Sequence, residues 1–121
     1  MKKKLEIGMR SLKEMGADVL EAWKNDEAGR KVSPREALYF ASMPQLLSVL
    51  TPARWNLLEV LKASGPLSIY ALAKALERNY SNVHSDVTKL RALGLIDKND
   101  KGSVFVPWDE IHADFSLKAA A

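Results

Sequence analysis

Leu5, Ile7 and Met9 alternate with Glu6 and Gly8, and this period of two predicts a short first strand. Ser11-Leu12-Lys13-Glu14 follows as a capping box, in which the Ser11 hydroxyl accepts from the third helical N–H and Glu14 reaches back. Leu12, Met15, Val19 and Trp23 then fall at helical spacing, so a helix is expected over residues 12–27, ending before Gly29. Lys13, Asp18, Glu21 and Lys24 make its other, solvated face. Residues 28–34 read as a loop. Residues 35–42 hold Leu38, Tyr39 and Phe40 and predict a second strand, and residues 43–50 a short helix that stops at Thr51-Pro52.

From Thr51 the pattern sharpens. Thr51 is a good N-cap, and Pro52 stands at the first helical position, where its missing N–H costs nothing. Trp55, Leu57, Leu58 and Leu61 form a broad apolar stripe that Gly65-Pro66 ends. Ser68 is expected to cap a second helix with Ile69, Leu72, Ala73 and Leu76 inward. Glu77-Arg78-Asn79 is a polar break. Ser81 is expected to cap a third helix with Val83, Val87 and Leu90 inward and Gly94 at its end. Two apolar runs, residues 95–98 and 103–106, flank Asn99-Asp100-Lys101-Gly102 and predict a hairpin. Pro107 ends the second run or sets it at an edge. Ile111, Ala113, Phe115 and Leu117 alternate with polar residues as a last half-buried strand.

Three short helices followed by a hairpin predict a winged helix-turn-helix. The fold class is α+β: that unit with an N-terminal strand–helix extension and a C-terminal strand. The divisions expected are residues 1–50 for dimerisation or partner binding, 51–108 for DNA binding, and 109–121 for the last strand and tail. The second and third helices must cross closely, and Ala73 supplies the small residue this needs. The third helix then presents its outer face to the major groove.

With Val83, Val87 and Leu90 inward, Ser81, Asn82, His84 and Ser85 are the expected base readers. Asn82 can pair with the major-groove edge of adenine. Arg54, Arg78, Tyr80 and Lys89 are expected to hold phosphates, with Tyr80 placed just before the helix. Lys98 and Lys101, near the hairpin tip, are expected to anchor the wing. Asp86 is the awkward residue, since a carboxylate repels phosphate. It is expected to orient Arg54 or Tyr80.

Charge and composition narrow the classes. The chain of 121 residues has Lys+Arg 18 and Asp+Glu 15, a formal +3. Residues 51–96 hold six basic and three acidic side chains, so the middle segment shares in the excess. That permits nucleic acid as a partner without demanding it. With hydrophobic residues at 47% and charged at 27%, the composition is globular. Cys is 0, which removes disulfides, thiolate metal sites and cysteine nucleophiles, and suits a cytoplasmic location. The basic start lacks an apolar stretch after it and does not read as a secretory signal, and no run is long enough to span a membrane. No enzyme is expected. His84 and His112 are far apart in sequence, and there is no Gly-x-Ser-x-Gly elbow, glycine-rich phosphate loop or His-Glu-x-x-His. No cofactor and no metal site are expected.

Five segments also carry a resemblance: Leu50-Thr51-Pro52-Ala53-Arg54, Gly65-Pro66-Leu67-Ser68, Tyr80-Ser81-Asn82-Val83-His84-Ser85-Asp86-Val87, Leu93-Gly94-Leu95-Ile96 and Val106-Pro107-Trp108-Asp109-Glu110-Ile111. As a set, over roughly residues 38–116, they resemble a family of small archaeal and bacterial winged-helix regulators, similar in fold to MarR-like proteins. Many members are encoded beside a small toxin and are classed as antitoxins of the TumA–TumE type. The resemblance implies a dimeric, DNA-binding repressor of its own operon that also binds a cognate toxin. Members often carry Lys or Arg where this chain has Ser81 and Ser85. That departure implies a weaker phosphate hold at the third helix, or base contacts made by shorter groups.

Blander readings stand beside these. Winged helices also serve as protein–protein modules, and the alternative function is neutralising a partner toxin. Trp23 and Trp55 read as core, Trp108 as packing for the wing, and Tyr39 and Phe40 as core or dimer surface. Leu5, Ile7 and Met9 with Ile111 and Phe115 are the expected dimerisation residues: their strands can pair into one sheet, whose edges in a two-fold dimer can pair across subunits, or the surface docks a different protein such as a toxin.

Overall fold

A computed structural model describes residues 3–9 and 37–115. Among them the elements run β1 (Lys4–Met9), β2 (Ala37–Phe40), α1 (Met43–Val49), α2 (Pro52–Ser64), α3 (Ile69–Leu76), α4 (Tyr80–Ala92), β3 (Asp97–Lys98), β4 (Val104–Phe105) and β5 (Glu110–Ala113). The architecture is α+β. The helix expected over 12–27, with Trp23, lies outside the described residues, as does Leu117.

The described residues divide into two compact units: 3 with 50–109, and 4–9 with 37–49 and 110–115. In the first, caps set the helix starts. The Thr51 hydroxyl accepts from the Arg54 N–H at 3.2 Å and the Ser68 hydroxyl from the Ala71 N–H at 3.1 Å. Gly65 closes α2 at φ 81°, a conformation open to glycine at little cost. Glu77 ends α3 in the left-handed region at φ 54°. Asn79, not Ser81, caps α4: its side-chain oxygen accepts from the Ser81 N–H at 2.8 Å and the Asn82 N–H at 3.4 Å. Tyr80 is therefore the first residue of the helix rather than a residue before it.

Leu57, Leu58, Leu61, Leu72, Val83, Val87, Leu90, Leu95, Ile96 and Val104 form the core of this unit. Each such side chain contributes about 1.5–3 kcal/mol by leaving water. Ala73 is buried where α3 meets α4, the small residue that lets the helices approach. β3 and β4 pair antiparallel, with Lys98 opposite Val104. The turn between them is tied by Asn99, whose side-chain oxygen accepts from the N–H groups of Lys101 and Ser103, each at 3.0 Å. Leu67, just before α3, adds an antiparallel bridge to Val104 through two backbone hydrogen bonds of 3.0 and 2.8 Å. Trp108 is half-buried, and its indole Nε1 donates to the Gly94 carbonyl at 2.8 Å, tying the segment after β4 to the end of α4. Lys3 lies beside it. The Lys3 N–H donates to the Asp109 carboxylate at 2.7 Å, the Asp109 N–H to the Lys3 carbonyl at 2.8 Å, and the Lys3 ammonium sits 5.6 Å from the centroid of the Trp108 ring. Trp55 is half-buried.

The second unit is a sheet in the order β2-β1-β5 with all pairs parallel. Leu5 lies opposite Ile111 and Ile7 opposite both Leu38 and Ala113. Phe40 is core and Tyr39 half-buried beside Gly8. The expected single sheet is present: β1 and β5 join within one chain, and Leu5 and Ile7 are 4% and 2% exposed. Both are core residues of this sheet. Met9 and Ile111 are half-buried, and Phe115 and Leu47 are exposed.

Candidate functional site

α4 is amphipathic. Val83, Val87 and Leu90 face the core, and Ser81, Asn82, His84, Ser85, Thr88, Lys89, Arg91 and Ala92 are exposed. Its one acid, Asp86, does not join that face. The Asp86 carboxylate accepts from Arg54 Nε at 3.0 Å and from Arg78 Nη2 at 2.7 Å, with its side chain only 13% exposed. Burial pushes this carboxyl up. The hydrogen bonds from Arg78 and Arg54, with their charges, outweigh it and hold the group below the ordinary carboxylate value. One anion thus ties the first turn of α2, the α3–α4 turn and the middle of α4 together.

Two of the expected phosphate contacts, Arg54 and Arg78, are engaged here. Arg54 and Arg78 are directed to Asp86, and Arg78 Nη1 is buried with no hydrogen-bond partner. Through that carboxylate they link α2 and the α3–α4 turn to α4. The sequence pointed to Arg54 as a partner of Asp86 but missed Arg78; two arginines for one acid left no spacing signal. Tyr80, half exposed, stacks at a tilt on His84 with ring centroids 5.9 Å apart. The Asp86 carboxylate has no bond to it.

Lys98 on β3 and Lys101 in the turn are exposed, as is Lys89. A cleft of about 380 Å³ opens between α4 and the hairpin, with His84, Thr88, Arg91 and Lys98 on its walls and Val87 and Val104 at its floor. Arg91 was recognisable as outward-facing, but its sharing a cleft with Lys98 depends on how the hairpin folds back, which spacing does not reveal. The exposed Thr88 hydroxyl donates to the His84 carbonyl at 2.9 Å. Among the described residues no three His, Asp or Glu side chains gather as metal ligands, and no helix is long and apolar enough to cross a membrane.

A family model described as HVO_A0114 matches residues 49–113, more than half of the chain. The chain belongs to the HVO_A0114 family. The HVO_A0114 match takes in α2, α3, α4, the hairpin and β5, and so the Asp86 cluster, the exposed face of α4 and the cleft. No curated protein and no solved structure matches the chain.

Proposed function

We propose that this protein is a winged helix-turn-helix regulator that binds double-stranded DNA by sequence, acting as a dimeric repressor near its own gene. One observation carries the reading: the exposed face of α4 is polar and cationic, and its only carboxylate is turned away onto two arginines. A surface that meets phosphates must avoid outward acids. The α2–α3–α4–hairpin order supports the same reading, with α4 as the groove helix and β3–β4 as the wing.

In this mechanism Ser81, Asn82 and Ser85 probe base edges. Tyr80 and Lys89 hold the backbone, and Lys98 and Lys101 carry the wing. Arg54 and Arg78 act through Asp86 by fixing the pitch of α4. A second copy would dock through the outer edges of β2 and β5 and through Phe115, because Leu5 and Ile7 are already covered. The test is fluorescence anisotropy with the gene's own upstream duplex and a scrambled one across a salt series. Preference for the upstream duplex near 0.15 M salt is the expected result, in the range where specific and nonspecific binding separate by about 10³ or more. Equal affinity for both duplexes would sink sequence-specific regulation.

A further inference from the structure

We propose that the cleft between α4 and the hairpin seats one phosphodiester group of DNA, held jointly by Arg91 and Lys98, on the strand opposite to the one Lys89 meets. This rests on the DNA-binding reading above and adds to it which strand each flank of α4 touches.

The argument begins with the helix wheel. At about 100° per residue, Asn82 and Lys89 share one flank of α4, while His84 and Arg91 share the other. Ser81, Ser85 and Thr88 lie between the two flanks, farthest from Val83, Val87 and Leu90. A helix lying in a major groove has one sugar–phosphate strand along each flank. Lys89 and Arg91 therefore face different strands, although only two residues separate them.

The two flanks are not equivalent. Beyond Asn82 and Lys89 the surface turns toward Asp86, whose charge is held by Arg54 and Arg78. Beyond His84 and Arg91 lies the cleft. Its far wall is Lys98, on β3. No carboxylate lines it, and neither Arg91 nor Lys98 has an ion-pair partner among the described residues. Two cations from two elements thus face one opening, over a floor formed by Val87 and Val104. A guanidinium offers a planar fork and an ammonium a point charge, a pair suited to one singly charged diester. His84, on the same flank, is thereby moved from base reading to the backbone. Its ring leans on Tyr80 and opens toward the cleft rather than toward the Asn82 flank.

The test is a salt series on the full chain with its upstream duplex, comparing wild type, Arg91→Ala, Lys98→Ala and the double variant. Because the dimer carries the change at both half-sites, one shared phosphate per protomer predicts that the double variant loses about 1.8 from the slope of log affinity against log salt. Two separate phosphates per protomer would give about 3.6, and that additive loss overturns the shared seat. An unchanged slope overturns it as well. Pairing Arg91→Ala with Lys89→Ala should give the additive loss. Strand assignment is read with duplexes carrying methylphosphonates in one strand at a time. Within one half-site, the modification that weakens wild type but no longer affects Arg91→Ala should lie in one strand, and the corresponding one for Lys89→Ala in the other, with the strands exchanged in the second half-site. Both falling in the same strand of one half-site refutes the strand assignment. A wild-type chain with no salt-dependent affinity for any duplex overturns the DNA reading itself, a result distinct from all of these.

Discussion

Arg54 Nε and Asp86 Oδ1 lie 3.0 Å apart across 32 residues of chain, and Arg78 Nη2 reaches the same carboxylate from the other side at 2.7 Å. The contact joins the first turn of α2 to the middle of α4. A carboxylate that would spoil the outer face of α4 instead fixes that helix against its neighbours. Asp86→Asn keeps the shape but removes the charge, leaving two partly buried guanidinium groups without their anion. A loss of about 1–3 kcal/mol in unfolding free energy is expected, read by urea titration. A change under a few tenths of a kcal/mol would mean that the cluster contributes geometry and little stability.

The same carboxylate makes a pH prediction. Its value in the folded chain is below the ordinary one, so the folded state favours the charged form. The contribution is present in full above the unfolded value of about 3.9 and disappears as pH falls through that value and past the lower folded one. Wild type should lose its stability advantage over Asp86→Asn across this acid window and keep it constant from about pH 5 upward. An advantage that persists to the acid end would refute the pairing as its source.

Asn82→Ala should cost about 1–3 kcal/mol at the preferred duplex and less on scrambled DNA, because a lost base contact relaxes choice. Lys89→Ala should weaken both alike. Anisotropy with the two duplexes separates these outcomes. Equal losses for Asn82→Ala would remove it from the base readers.

Trp108→Phe removes the indole N–H from the Gly94 carbonyl and keeps a ring beside Lys3. About 1 kcal/mol of stability should go, the ordinary net worth of such a bond. The readout is the denaturant midpoint. An unchanged midpoint would show that the ring's packing alone matters.

Gly102→Ala tests the hairpin turn. Gly102 has φ 84°, and an added Cβ would meet only Lys98 Cε, at 3.8 Å. Space is adequate, so the cost is backbone strain, about 1 kcal/mol. Affinity for DNA should fall as the tip shifts Lys101. A stable variant with unchanged affinity would detach the tip from binding.

The helices of the first unit were legible because their caps are local. Thr51 and Ser68 announce α2 and α3 from single positions, and the inward stripes follow. At α4 the same logic misled by two residues: Asn79 and Ser81 are both capping types, and only the backbone path at Glu77 and Arg78 decides between them. The α+β class was readable from the change of period along the chain. What resisted was anything set by a distant partner. The bridge from Leu67 to Val104 is one residue wide and leaves no alternation to detect. The alternation at Leu5, Ile7 and Ile111 shows that strands exist, but says nothing of whether they run parallel or pair within one chain. The cleft, likewise, depends on where the hairpin lies over α4.

β1 sits between β2 and β5, and its second neighbour arrives only after the whole of 50–109 has been made. During synthesis the whole segment carrying α2 to β4 is made before β5. Joining the ends of so long an open loop is slow, whereas a segment already collapsed behaves as a short tether. The expected assembly order is helices and hairpin first and the three-stranded sheet last, closed on a chain whose α4 is already in place.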